Sequence, residues 1–102
     1  MTVLGKRLKE ARLRAGLSQE RLGLDVGLDP MSASARMNRY ELGKRVPDFQ
    51  LVEKIAAVLG VTAAYFYAVD DELAELLRLY QSASARGRKS ILKAAEQATG
   101  AR

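Results

Sequence analysis

The amino-acid sequence predicts an all-α fold on the basis of three observations. Apolar residues recur every three or four positions in successive segments, as they do on the buried face of an α-helix. Glycines stand where several of these segments end, a usual place for the left-handed residue after a helix. Strand-like alternation of apolar and polar residues never lasts more than a few positions. With 102 residues, the chain can form one modest core.

The first predicted helix spans residues 3–15 and is followed by Gly16. Its apolar face consists of Leu4, Leu8, Ala11 and Ala15. We expect the opposite side to carry Lys6, Arg7, Lys9 and Arg14. Arg12 lies next to the apolar face. An arginine in that position is either exposed or turned inward toward a carboxylate.

Two shorter helices should follow, joined by a turn. One covers about 18–26, has Ser18 as its N-cap and ends at Gly27. The other covers about 32–41 and stops near Gly43. In the third helix, Met37 and Tyr40 are three positions apart and should point inward. The side chains expected to stay open to a partner are Ser34, Arg36, Asn38 and Arg39. A short helix with two arginines, followed by the basic pair Lys44 and Arg45, suits a DNA major groove flanked by phosphates.

The next two predicted helices supply most of the apolar residues. Asp48 is the expected N-cap of a fourth helix that ends at Gly60. Its wide apolar face comprises Phe49, Leu51, Val52, Ile55, Ala56 and Leu59. Thr62 should cap a short fifth helix with an aromatic cluster at 65–67, which we interpret as a plug of the core.

The remaining residues predict two further helices. From Asp70, an acidic first turn leads into an apolar stripe made of Leu73, Leu76, Leu77 and Tyr80. Residues 81–87 should break this helix or flex, and a last helix should cover about 89–98. Its apolar face is too narrow to fold alone, so it must dock on the core, pair with a second copy, or fray.

Composition excludes several classes of protein. The chain has no cysteine and no histidine, which removes disulfides, zinc sites and Cys or His nucleophiles. No pairing of carboxylates stands out, so we expect neither an enzyme nor a cofactor or metal. No apolar run is long enough to span a membrane, and the N-terminus lacks the apolar core of a secretory signal. We therefore expect a cytoplasmic protein.

The charge is unevenly distributed along the chain. Residues 1–45 carry ten Lys and Arg against five Asp and Glu, whereas residues 46–81 carry two against six. Residues 82–102 carry five against one. The basic half contains the two short helices, which is the charge pattern that nucleic-acid binding requires. A solvated basic surface would give the same pattern.

Three strings of residues resemble one known family. GLSQERL at 16–22, RYELGKRVPD at 39–48 and LVEKIAAVLGVTAAYF at 51–66 are similar to the Cro/repressor-type (xenobiotic-response-element) helix-turn-helix family. The resemblance covers about residues 4–67. It implies a compact five-helix repressor-like DNA-binding domain at 1–69, so that residues 70–102 form a helical extension of one or two helices.

The resemblance also implies roles for particular residues. Gln19 matches a glutamine that contacts DNA phosphate, and Lys44 and Arg45 match a basic loop that touches the DNA backbone. Base-reading side chains are expected at Ser34, Ala35 and Arg39, and Arg39 is the best candidate for a bidentate contact to guanine. Weaker candidates for the DNA contact are Arg36 and Asn38. The matched pattern further pairs Arg12 with Glu41, where the alternative is two independent surface charges.

Two departures from the family pattern affect these expectations. The chain has about four extra residues between Gly27 and Tyr40, so either the turn is enlarged or the third helix starts at Ser32 or Met31. Gly23 stands where alanine is usual, which costs about 0.5–1 kcal/mol of helix propensity but permits a close helix contact.

These features predict a sequence-specific transcriptional regulator that binds double-stranded DNA, most simply a homodimeric repressor. Its dimer contacts could come from residues 70–98, or that segment could cover its own domain. The alternative is an interaction adaptor or antitoxin-like protein that binds a protein partner through 70–98 and binds DNA only weakly.

Overall fold

The computed structural model describes residues 2–100, and this part of the chain contains seven α-helices and no strand. Met1, the first residue of the predicted DNA-binding domain (1–69), and residues 101–102, the last of the predicted extension (70–102), lie outside the described residues. The helices are α1 (Val3–Arg14), α2 (Gln19–Asp25), α3 (Ala33–Leu42), α4 (Phe49–Leu59), α5 (Ala63–Tyr67), α6 (Asp71–Ser82) and α7 (Ala85–Thr99). The all-α prediction is confirmed. No described helix combines the length and apolar character needed to cross a bilayer.

Side-chain caps fix where most of these helices begin. The Ser18 hydroxyl accepts a hydrogen bond from the Arg21 backbone N–H, and the Asp48 carboxylate accepts one from Leu51. Both caps were predicted, because short polar side chains satisfy N–H groups that have no partner within the helix. The predicted helix ends are also confirmed, since the following glycines have positive φ angles: Gly16, Gly27, Gly43 and Gly60.

The hydrophobic core lies almost entirely within the first five helices. Met37 and Tyr40 of α3 are buried as predicted, together with Tyr65 and Phe66 from the aromatic cluster. The other buried apolar residues are Leu8, Ala11, Leu22, Val26, Val52, Ile55, Ala56, Val61, Ala68 and Ala74. Helix α1 is central, because it packs against both α3 and α5.

The prediction for Arg7 was wrong. Its side chain is only 3% exposed, because the chain between α5 and α6 folds over it. Its Nε donates to the Ala68 carbonyl at 3.0 Å and its Nη2 to the Val69 carbonyl at 3.1 Å. Its Nη1 lies 2.9 Å from the Asp71 carboxylate. Arg7 thus joins the N-terminal helix to the start of α6.

The prediction that Phe49 contributes to the core was also wrong, since this side chain is 58% exposed. It is the first residue of α4, whose buried residues are Val52, Ile55 and Ala56. Periodicity identifies the inward face of a helix, but it does not determine how far neighbouring elements extend along that face.

The break before the last helix is shorter than predicted. Helix α7 begins at Ala85 rather than near Lys89, and Gly87 lies in its first turn instead of interrupting the chain. The reason is a cap, since the Ser84 hydroxyl accepts a hydrogen bond from the Gly87 backbone N–H at 3.0 Å.

Helices α6 and α7 bury little of their apolar surface. Ala74 is the one fully buried residue of α6, and α7 has none. The predicted stripe from Leu73 to Tyr80 is instead half-exposed. It lines a shallow apolar groove with α7, formed by Leu76, Leu77, Tyr80, Ile91, Leu92 and Ala95. The described chain is correspondingly elongated, measuring 52 × 25 × 22 Å.

Candidate nucleic-acid interface

The candidate nucleic-acid interface is formed by the packed helices α2 and α3 together with the loop after α3. The two helices touch closely where a Cβ atom on Gly23 would lie 2.8 Å from the Ala33 Cβ and 3.0 Å from the Ala33 carbonyl oxygen. Real Cβ atoms essentially never show the shorter distance. Gly23, which stands where the family pattern usually has alanine, is therefore required by this contact between α2 and α3.

The extra residues before α3 enlarge the turn. Helix α3 begins at Ala33, so it does not start early at Ser32 or Met31. Within the turn, the Asp29 carboxylate accepts a hydrogen bond from the Met31 backbone N–H at 2.8 Å. This is a local Asx arrangement that stabilises the turn without extending the helix.

Helix α3 presents one buried and one exposed side. Its buried residues are Ala33, Met37, Tyr40 and Glu41. Its exposed residues are Ser34, Ala35, Asn38, Arg39 and Leu42. Four of the residues that we proposed for DNA contact therefore share one face. Sequence reasoning missed Leu42, whose place four positions after Asn38 was the available signal.

Arg36 is not part of this exposed face. Its Nη2 donates to the Tyr40 hydroxyl at 2.6 Å, and its guanidinium carbon lies 5.8 Å from the centre of the Tyr40 ring. A buried tyrosine one turn away thus holds the arginine against its own helix. Arg36 therefore lies at the edge of the exposed face of α3, where its guanidinium is held by Tyr40.

Two exposed cations follow the end of α3. Gly43 takes the left-handed conformation, which turns the chain so that the backbone N–H groups of Lys44 and Arg45 donate to the Arg39 carbonyl. Both side chains are exposed. Three basic residues therefore lie together at one end of the exposed face: Arg39, Lys44 and Arg45.

Arg12 and Glu41 form a buried ion pair behind this face. The Arg12 Nε lies 2.5 Å from one Glu41 carboxylate oxygen, and its Nη2 lies 3.1 Å from the other. A third donor, Nη1, binds the Leu17 carbonyl at 2.8 Å. Because one guanidinium holds α1, α3 and the segment before α2, it fixes the position of α3 against the rest of the domain.

Gln19 connects this ion pair to the exposed face. As the first residue of α2, it lies beside the middle of α3, and its Nε2 donates to Glu41 Oε1 and to Asn38 Oδ1, each at 3.1 Å. The contact between Gln19 and Asn38 was not predicted. It depends on the angle between two helices, for which the sequence gives no signal.

Within residues 2–100, no cluster of three or more acidic side chains could hold a metal ion. The described surface instead combines hydrogen-bonding groups on one helix face with basic side chains at its end. Such a surface can bind an extended polyanion along the basic end while polar side chains meet specific partner groups.

Comparison with known proteins gives three findings. Residues 3–65 match the family model described as a helix-turn-helix domain. An uncharacterized SPbeta prophage-derived HTH-type transcriptional regulator, YonR of Bacillus subtilis (strain 168), is 32% identical over 63 residues. That match covers 62% of this chain and 55% of YonR, so the chain spans about half the length of this relative.

The crystal structure of the transcriptional regulator BswR is similar over nearly the whole chain. The two proteins are 47% identical, with a TM-score of 0.86, and the alignment covers 91% of this chain and 92% of BswR. Because the first five helices account for a smaller share of the chain, the similarity extends into α6 and α7.

Proposed function

We propose that this chain, which belongs to the helix-turn-helix domain family, is a transcriptional regulator that binds specific double-stranded DNA through α3. The observation that carries the proposal is the division of α3 into a buried side and a polar exposed side. In this motif the second helix of the pair enters the major groove while the first crosses the backbone. Here those helices are α3 and α2.

Individual roles follow from position and chemistry. Arg39 is exposed and carries the planar donor pair that matches guanine O6 and N7. Ser34 and Ala35 lie on the same face near the start of α3, where base edges come close. Lys44 and Arg45 are placed to neutralise phosphates, which gives affinity without sequence preference.

We further propose that the regulator is a homodimer and represses by occluding its operator. The exposed groove between α6 and α7 would then be covered by the same groove of a second copy, as a two-fold interface requires. Charge supports this pairing, because acidic side chains begin α6 whereas α7 is basic. Within the chain, Asp71 already binds Arg7 and Glu75 binds Arg78, which leaves Glu72 as the acidic residue that would face the basic ones, Arg86, Lys89 and Lys93.

Selection of bound sequences from a random DNA pool tests the proposal directly. The expected result is a pseudo-palindrome whose half-sites lie about one helical turn apart. Binding should weaken steeply between 50 and 200 mM salt. A pool that yields no preferred sequence, with binding indifferent to salt, would refute DNA recognition and favour the adaptor or antitoxin-like alternative.

Two substitutions separate base reading from phosphate binding. Arg39→Ala should cost about 1–3 kcal/mol of specific binding and relax preference at one base pair. Lys44→Ala should weaken all sequences alike and reduce the salt slope by about 1. If Arg39→Ala binds the selected site as tightly as the parent, Arg39 does not read a base.

The dimer is tested by measuring mass in solution. Leu92→Ser should convert the dimer to a monomer, because it places a hydroxyl in the groove. Leu13→Ser is a matched control, since Leu13 on α1 is 59% exposed and Leu92 is 60% exposed. A parent that sediments as a monomer would refute the dimer, and a dimer that survives Leu92→Ser would place the interface elsewhere.

A further inference from the structure

A chain of hydrogen bonds leads from the interior of the domain to the centre of the exposed face of α3. It runs from Arg12 to Glu41, from Glu41 to Gln19 and from Gln19 to Asn38. The first two side chains are buried, Gln19 is half-buried and Asn38 is exposed. We call these four residues the polar relay.

The chemistry of the buried end determines the direction of every bond in the polar relay. Arginine only donates, so Glu41, held by two of its N–H groups, is a carboxylate that only accepts. Gln19 must therefore turn its NH₂ group toward Glu41. The reverse orientation would place the amide oxygen 3.1 Å from a carboxylate oxygen.

The same NH₂ group has a second hydrogen, which binds Asn38. Because Gln19 Nε2 donates to Asn38 Oδ1 at 3.1 Å, the Asn38 oxygen faces Gln19. Asn38 Nδ2 makes no hydrogen bond to any residue in the range 2–100. Asn38 is thus left with two free N–H donors on the exposed side of α3.

We propose that the polar relay makes Asn38 a base-reading hydrogen-bond donor of fixed orientation, and that Gln19 is the positioning residue that holds it. This inference rests on the proposed DNA-binding function. A donor fits bases that offer an acceptor in the major groove, namely guanine (O6 and N7), adenine (N7) and thymine (O4). Cytosine, whose edge there offers the N4 donor, is the base that Asn38 disfavours on the contacted strand.

The same geometry gives the Gln19 side chain a different role from the phosphate contact that the family resemblance implies. Both hydrogens of its NH₂ group bind within the protein, so the side chain has no N–H left for a phosphate. Loss of the Gln19 side chain should therefore alter base preference at the position read by Asn38, rather than weaken all sequences equally.

Base preference of three variants tests the proposal. Asn38→Ala should weaken the selected site about two- to tenfold, the value of one hydrogen bond. Asn38→Asp keeps an oxygen for Gln19 but presents an acceptor to the DNA, so preference at this position should shift from guanine and thymine toward the bases with a donor there, cytosine (N4) and adenine (N6). Gln19→Ala should broaden preference at the same position, and Gln19→Ala with Asn38→Ala should equal Asn38→Ala alone.

A matched control is available on α4. Gln50 is also exposed near the start of a helix, and Gln50→Ala should leave base preference unchanged. The proposal is overturned if Gln19→Ala weakens every sequence equally or if the two alanine substitutions are additive. It is also overturned if Asn38→Asp favours cytosine and adenine over guanine and thymine no more than the parent does.

Nuclear magnetic resonance of the DNA-free protein distinguishes the failure of this inference from the failure of the proposed function. The side-chain NH₂ hydrogens of Gln19 should exchange with water more slowly than those of Gln50, and Gln19→Ala should shift the side-chain signals of Asn38. Equal exchange at Gln19 and Gln50 would refute the polar relay even if the parent binds DNA. A parent that shows the relay but binds no DNA would refute the proposed function and the reading role of Asn38.

Discussion

Helices α4 and α6 have similar amphipathic sequences but different surroundings. Helix α4 buries Val52, Ile55 and Ala56 in the core, whereas α6 buries Ala74 and leaves most of its leucine stripe half-exposed. Helix α7 buries nothing fully. An apolar stripe therefore shows that a helix needs a neighbour, but it does not show whether that neighbour belongs to the same chain.

A buried arginine helps to hold the last two helices, α6 and α7, to the first five. Arg7 binds two backbone carbonyls at the α5–α6 junction and the carboxylate of Asp71. Burial alone lowers the pKa of Arg7, but hydrogen bonds and charge from Asp71 and Glu10 outweigh burial and raise this pKa. The guanidinium therefore stays charged, and the start of α6 is held against α1.

The largest expected effect is in the core of the first five helices. Met37→Ala should lower the free energy of unfolding by about 2–5 kcal/mol, because it opens a cavity at a fully buried position. Urea unfolding measures this loss. The control is Met31→Ala, since Met31 is 94% exposed and its truncation should change stability by less than about 0.5 kcal/mol. Equal effects at both positions would contradict the assignment of Met37 to the core.

The next effect concerns the junction. Arg7→Ala should lower the free energy of unfolding by about 1–3 kcal/mol, because the carbonyls of Ala68 and Val69 lose their hydrogen-bond donors. The substitution should accelerate backbone hydrogen exchange in α6 more than it does in α3. Lys9→Ala, at an exposed position of the same helix, is the control. Unchanged exchange in α6 would mean that Arg7 does not hold the two regions together.

A smaller effect is expected in the groove between α6 and α7. In a concentration range where the protein is monomeric, Leu92→Ala should change the free energy of unfolding by less than about 0.5 kcal/mol. The reason is its 60% exposure. Thermal or urea unfolding of the dilute protein checks this value. A loss as large as that of Met37→Ala would show that α7 packs into the core of its own chain.

The smallest effect depends on pH. Hydrogen bonds from Arg7, and next from Lys6, hold the pKa of Asp71 below its ordinary value of 3.8. A lowered pKa stabilises the folded state above the unfolded value, and this contribution disappears as the pH falls through the folded value. Asp71→Asn should therefore be slightly less stable than the parent at neutral pH and equally stable under strong acid.

Thermal unfolding of both proteins between neutral pH and pH 2 measures that difference. Glu53→Gln is the control, because Glu53 is exposed and forms no ion pair with any residue in 2–100. If the Asp71→Asn difference persists unchanged in acid, the contact between Arg7 and Asp71 does not stabilise the folded protein through the carboxylate charge.

The sequence by itself determined the local structure of this protein. Ser18 and Asp48 predicted helix starts, Gly43 and Gly60 predicted helix ends, and the spacing of Met37 and Tyr40 predicted which side of α3 is buried. These features depend on backbone conformation and on contacts within a few residues, so the local sequence contains the necessary information.

Only the tertiary structure decided which distant groups meet. The Arg7 carbonyl contacts and the Gln19–Asn38 bond both depend on the packing of complete helices. The exposure of Phe49 and of the α6 stripe was decided in the same way. A periodic pattern specifies a direction around one helix axis, whereas burial depends on the position and length of what lies beyond it.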